Sequence, residues 1–348
     1  MTEIQALIKN WYLENKRDLP WRRTKNPYYI WLSEVILQQT RVAQGKSYFE
    51  RFVKKYPKIE GLASASEQEV LSMWQGLGYY SRARNLHTTA KYIFKELNSV
   101  FPSKYTEILA LKGVGEYTAA AIASFAFDQV YAVLDGNVYR VLSRIFNLAI
   151  PIDTSEGKKQ FVFLANELLD KTQPALFNQA IMEFGALQCV PGKPNCEICS
   201  LNIYCEAFKN NTITLLPAKK GKPKIRNRYF VYFVYLDENR ETVRLRKKTE
   251  NDIWKNMFEF PKIEFESVEQ MNEFLSDNKN KIRTISALYK HILSHQHLYA
   301  KFIVFSDSLF FHSPDVIEIP VLILNEYPLP RLMERYLEQN RTIFSHQH

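Results

Sequence analysis

No stretch of the 348 residues approaches the roughly eighteen consecutive apolar positions that a membrane-crossing helix needs. An apolar signal core is missing too: MTEIQALIKNW spaces Ile4, Leu7, Ile8 and Trp11 at helical intervals instead. The chain is therefore expected to work in the cytoplasm, away from membranes. No repeat period of the kind that marks solenoids is present. Acid is in deficit, with 37 Asp and Glu against 46 Lys and Arg, and the resulting net charge of +9 favours a polyanionic partner. What is present, 46% hydrophobic and 24% charged residues, is the composition of a soluble globular chain long enough for two domains.

Cysteine is scarce, and all four copies fall in one loop, CVPGKPNCEICSLNIYC, as Cys189, Cys196, Cys199 and Cys205. Without a secretory signal a disulfide framework is disfavoured, and a metal centre is the alternative. Zinc ribbons bring together two separate C-x2-C knuckles. A single loop with one close pair and two wider spacings better suits an iron–sulfur cluster held by four thiolates. The loop carries Lys193 and no redox partner motif, so its expected role is to hold a basic loop in shape.

Periodic apolar positions recur in IWLSEVILQQT, EVLSMWQGLGYY, AAAIASFAF, NVYRVLSRIF and FVFLANELL, which reads as a mainly helical domain over 1–211. The composition then changes. PAKKGKPKIRNR, 217–228, holds six Lys or Arg and no acid, and a basic linker is expected over 212–227. Beyond it, RYFVYFVYL, TVRLRKK and YAKFIVF read as strands, and VEQMNEFLSD and RLMERYLEQ as helices, giving an α/β domain over 228–348.

In LKGVGEYTAAA, 111–121, Gly113 and Gly115 flank Val114 ahead of an alanine-rich helix. Backbone N–H groups can crowd around an anion there with no Cβ in the way, and the helix dipole adds to the attraction. This hairpin, followed by the four-cysteine loop, resembles the helix-hairpin-helix DNA glycosylases of the endonuclease III superfamily over residues 1 to about 210. The resemblance implies one 4Fe–4S cluster on Cys189, Cys196, Cys199 and Cys205, and a phosphate held by Gly113, Val114 and Gly115. In the strand-cutting members a lysine stands at the position of Tyr117. A tyrosine cannot form a Schiff base, so a monofunctional glycosylase is implied.

SEVILQQT, 33–40, is similar to the signature of the adenine-removing branch, with Glu34 at the position of its catalytic acid. Asp135 in VLDGNVYR would stabilise the positive charge that builds on the sugar, kept ionised by a helix end. Tyr117 and Asn137 would fix the sugar and Asp135 by hydrogen bonds. Gln39 and Tyr79 match the family's duplex wedges; Arg17, Trp21 and Arg22 in RDLPWRR match its adenine pocket. The implied partner is duplex DNA carrying adenine opposite 8-oxoguanine or guanine, bound by a monomer. A thymine or uracil mismatch glycosylase, or a non-enzymatic DNA-binding protein, are the alternatives.

NDIWKNMFEFP, 251–261, resembles the Nudix-like domain of the same branch, although the acidic helix of a Nudix hydrolase is absent, which leaves recognition as its task. HILSHQHL, 291–298, resembles the loop that reads 8-oxoguanine, through Ser294 and His295, with Leu293 standing where the family has phenylalanine. A second SHQH, Ser345–His348, is taken as coincidence.

Overall fold

The computed structural model describes residues 2–221, 225–237, 241–305 and 315–344; Ser345–His348 and part of the basic linker lie outside them. Among the described residues no helix is long and apolar enough to cross a membrane. The N-terminal part is helical almost throughout: α1 (Thr2–Asn15), α2 (Pro27–Leu37), α3 (Val42–Lys55), α4 (Ile59–Ser64), α5 (Glu67–Trp74), α6 (Ser81–Glu96), α7 (Tyr105–Leu109), α8 (Glu116–Phe127), α9 (Gly136–Ile145), α10 (Ser155–Leu168), α11 (Pro174–Leu187) and α12 (Glu206–Lys209). Strands follow: β1 (Arg226–Val234), β2 (Leu236–Asp237), β3 (Thr242–Lys247), β4 (Phe258–Glu259) and β5 (Lys262–Phe265), then helix α13 (Val268–Asp277). The chain ends in β6 (Ile282–Ile285), β7 (Tyr289–Ile292), β8 (Gln296–Phe305), β9 (Val316–Pro320), α14 (Arg331–Gln339) and α15 (Arg341–Phe344).

Two compact units result. The first joins Met1–Ser64 to Asn85–Gly221, and the second joins Ala65–Arg84 to Lys222–His348. The segment carrying α5 and GLGYY thus packs with the C-terminal strands, a long-range pairing that helical periodicity does not report.

In the first unit, α2 and α8 are apolar on nearly every face and buried accordingly. Asn26 starts α2 by accepting from the Tyr28 amide, with Pro27 in the first turn where its missing N–H costs nothing. The turn before α8 needs glycine at 113: φ is +81° there, and a Cβ would meet the Asn85 side chain at 2.7 Å. A second core joins α1, α9, α10 and α11 through Ile8, Leu142, Phe161, Phe177 and Phe184.

In the second unit β1 lies between β5 and β8, parallel to β8, and β6 and β7 both pair with β8. The smaller sheet runs β2, β3, β4, with β9 also on β3. Alternation along β1 and β8 splits the larger sheet into two buried faces. Val231, Phe233 and Ile303 pack on Met271 and Leu275 of α13. On the other face Phe302 stacks between Tyr232 and Tyr336 of α14, ring centres 5.1 and 4.1 Å away. A sheet covered by helices on both faces is the α/β second domain that the strand and helix runs foretell.

Candidate active site and cysteine loop

A cavity of about 210 Å³ opens in the first unit, walled by α2, the start of α8, the start of α9 and α11. Glu34, Tyr117, Asp135, Asn137, Arg17, Trp21 and Arg22 all line it. Residues drawn from four separated stretches of sequence therefore meet in one concave site.

Glu34 is 6% exposed on the apolar α2. Burial pushes its carboxyl up to about 7, against a lowering hydrogen bond from Tyr117, with Asp135 raising it further and Arg22 lowering it. The Tyr117 hydroxyl donates to Glu34 Oε2 at 2.8 Å. In the structure it thus bonds Glu34, where the resemblance implied contact with the sugar and Asp135. The reason is placement: Tyr117 is half-buried beside the buried Glu34, and the phenol, held well above its ordinary range by burial, remains a donor.

Asp135 is the N-cap of α9. Its Oδ1 accepts from the amides of Asn137 and Val138 at 2.9 and 2.8 Å, and its Oδ2 from Asn137 Nδ2 at 2.7 Å. Burial still raises this carboxyl, while those donors pull the other way. The helix end thus offsets desolvation rather than pushing the group below its ordinary range. Glu34 and Asp135 face one cavity in unlike surroundings, one with a single phenol donor and the other with three N–H donors.

The pocket also holds residues that the motifs do not reveal. Glu183 of α11 is 1% exposed and accepts from the Arg17 amide at 2.9 Å, Arg17 Nε at 2.8 Å and Arg17 Nη2 at 2.6 Å. Arg22 Nη2 adds a fourth donor at 2.8 Å. Burial opposes ionisation of Glu183, but both arginines outweigh it and hold the carboxyl down at about 2. A lone acid inside the apolar run IMEFG is the sequence signal for such a buried partner. Trp21 packs edge-on against Phe49, 5.4 Å between centres, so it serves core and pocket wall together.

From Asp135 the contacts run on to the cysteine loop. Asn137 Oδ1 accepts from Arg140 Nη2 at 2.8 Å, and Arg140 Nε donates to the Cys189 carbonyl at 2.7 Å. Arg144, one turn on, donates to Cys189 Sγ at 3.3 Å and to the Val190 carbonyl at 2.9 Å. α11 comes so close to α9 that a Cβ on Gly185 would stand 2.7 Å from the Asn137 Cβ.

Cys189, Cys196, Cys199 and Cys205 line one small cavity together with Arg144. Among the described residues no three His, Cys, Asp or Glu side chains converge closely enough to hold a metal ion. A cubic cluster bonds each thiolate to a different iron and keeps the four sulfurs farther apart than a tetrahedral zinc would. A shared cavity, four soft donors and a guanidinium beside one sulfur fit that group. Anaerobically purified protein is expected to be yellow-brown, with iron and sulfide in equal amounts on elemental analysis. Zinc alone would overturn the assignment.

The wedge candidates Gln39 and Tyr79 share a backbone feature: φ is +56° and +49°, a left-handed conformation costly for either residue type. Both are exposed, Tyr79 by 47%. Gly115 has open space where a Cβ would stand, and Val114 packs inward. In the second unit, Ser294 and His295 sit exposed at the turn between β7 and β8, closed by the Leu293 amide donating to the Gln296 carbonyl at 2.8 Å.

Residues 32–165 match the HhH-GPD superfamily of base excision DNA repair proteins, and 231–339 match the NUDIX domain. The chain is 37% identical over 299 residues to the adenine DNA glycosylase of Buchnera aphidicola subsp. Baizongia pistaciae (strain Bp), covering 84% of this chain and 83% of that one. Identity to the adenine DNA glycosylase of Mus musculus is 42% over 235 residues, 65% of this chain and 45% of the mouse protein. Among solved structures, a thermostable thymine-DNA glycosylase superposes with TM-score 0.56 at 29% identity, over 60% of this chain and 95% of the other.

Proposed function

The chain belongs to the adenine DNA glycosylase family, enzymes of base excision repair, and on that premise we propose that it hydrolyses the N-glycosidic bond of adenine lying opposite 8-oxoguanine or guanine in duplex DNA. One observation carries this reading: Glu34 and Asp135 face one cavity with unequal hydrogen bonding, Glu34 poised to keep a proton near neutrality. Cleavage of a purine nucleoside needs that division, because the leaving base must be protonated while positive charge grows on the sugar.

The adenine is flipped out of the stack to reach the cavity. With the Tyr117 hydroxyl on Oε2, the acidic proton of Glu34 is left to Oε1, from which it passes to adenine N7 as the C1′–N9 bond breaks. Asp135, fixed by Asn137 and the start of α9, stabilises the oxocarbenium ion or captures it before water completes hydrolysis. Glu183 holds Arg17 and Arg22 as a rigid polar wall against the base. Gly113, Val114 and Gly115 bind a backbone phosphate, and Gln39 and Tyr79 enter the duplex. Cys189, Cys196, Cys199 and Cys205 would hold a 4Fe–4S cluster, which would tie the 189–205 loop to itself beside Arg140 and Arg144 of α9 and supply no reacting atom.

The test is a panel of duplexes carrying A opposite 8-oxoguanine, A opposite G, T opposite G and an oxidised pyrimidine, each with and without alkali. Alkali-dependent breaks confined to the adenine substrates are the expected result; release of thymine would favour the mismatch-glycosylase alternative. Since no amine stands at Tyr117, borohydride should trap little enzyme–DNA adduct, and efficient trapping would end the monofunctional reading. Replacing both Ser294 and His295 with alanine should cut the preference for 8-oxoguanine over guanine by roughly tenfold to thirtyfold, at ~1 kcal/mol per lost polar contact. An unchanged ratio of single-turnover rates would remove that turn from lesion recognition.

A further inference from the structure

The segment bearing Tyr79 is gripped by the turn between β3 and β4. Asn256 Nδ2 donates to Glu67 Oε1 at 2.6 Å, at the first residue of α5. Arg84 Nη1, beyond the tyrosine, donates to the Lys255 carbonyl at 2.6 Å. Between these two holds, Ser72 Oγ donates to the Glu326 carbonyl at 2.9 Å. The turn is itself over-determined. The Asn256 amide donates to the Lys248 carbonyl and the Lys248 amide to the Met257 carbonyl, at 2.6 and 2.8 Å. Trp254 and Asn256 both stand at positive φ, +62° and +65°. Left-handed backbone at a tryptophan persists only where its surroundings impose it, and asparagine beside it is a residue type that tolerates that conformation.

The exposed ring of Tyr79 sits at the end of a rigid stack. The Trp74 indole donates to the Gly78 carbonyl at 3.1 Å, the Arg82 guanidinium lies 5.1 Å from the Trp74 ring and 5.7 Å from the Tyr79 ring, and Arg82 Nη2 donates to the Gly78 carbonyl at 3.1 Å. A ring driven between stacked bases delivers its effect only if its base is fixed. We propose that Asn256 and Glu67 are positioning residues for Tyr79: the β3–β4 turn braces the wedge, so the unit that carries the lesion-reading turn also sets how Tyr79 enters the duplex. This deepens the reading above and rests on Tyr79 acting as a wedge. It also means that a chain ending near Asn211 loses the brace as well as the Ser294–His295 turn, which makes point substitutions the sharper probe.

The full chain is tested on a duplex with A opposite 8-oxoguanine and 2-aminopurine beside the 8-oxoguanine, reading duplex affinity and the rise in 2-aminopurine emission on unstacking. Asn256→Asp keeps a residue tolerant of positive φ but sets a carboxylate against Glu67. It should weaken affinity about tenfold and lose most of the emission rise. Adding Glu67→Gln reverses donor and acceptor and should restore both. In a Tyr79→Ala background Asn256→Asp should change neither readout further, whereas a defect in general folding would persist there. Failure of Glu67→Gln to rescue, or full additivity with Tyr79→Ala, overturns the brace while leaving the wedge intact. A Tyr79→Ala protein that binds and unstacks like the native one overturns the wedge reading and the brace with it.

Discussion

Glu34→Gln is expected to lose at least ~100-fold in adenine excision while becoming more stable than the native protein above pH 7. An amide of the same shape cannot give N7 a proton, so the chemical step fails while the pocket persists. The stability gain follows from the same burial. The unfolded carboxyl titrates near 4.5 and the folded one near 7, so the native form is favoured most below 4.5. That advantage drains away as pH rises through 7 and the folded protein is left with a buried charge. That difference corresponds to about 3 kcal/mol as an order of magnitude, and glutamine removes the cost. Thermal unfolding at pH 4 should therefore barely separate the two proteins, while at pH 8 the variant should melt higher. Native excision should fall as pH rises through about 7. A folded variant that excises adenine at near the native rate would remove Glu34 from the acid role.

The residues that meet in the pocket were legible because they sit in short motifs whose chemistry is local. Asp135 caps the helix that its own D-G-N sequence begins, and Tyr117 follows a turn that its own glycines build. The donors on Asp135 could be foreseen for the same reason. What the sequence hides is partnership across distance. Tyr117 and Glu34 lie 83 residues apart, and Glu183 lies more than 160 residues from each of its two arginines. The packing of Ala65–Arg84 with the C-terminal strands is hidden for the same reason. The helical pattern of EVLSMW states that one face must be buried, and no periodicity says against what. The strand runs after the basic linker gave the second domain its class, but not the pairing of β1 with β8, which joins residues about seventy positions apart.

The arginine clamp supplies a prediction of opposite sign. Glu183 is held near 2 in the folded protein against about 4.5 in the unfolded chain, so its contribution to stability is present above pH 4.5 and lost as pH falls through about 2. Glu183→Gln should abolish that acid limb and, at neutral pH, cost about 2–3 kcal/mol, because Arg22 and the partly exposed Arg17 lose the buried charge that compensates them. A structural role alone would end there. The clamp has a further effect, since Arg22 is among the charges that lower the Glu34 carboxyl, and Glu183 now neutralises Arg22 at 2.8 Å. Once that partner is gone, the bare guanidinium should pull the Glu34 titration down, and the pH at which excision fails should move below 7. Arg22→Ala should move it the other way. Single-turnover excision measured from pH 5 to 9 on the native chain and both variants reads these shifts directly, independent of how much folded protein each sample contains. If all three profiles break at the same pH, Glu183 and Arg22 shape the pocket without tuning its acid.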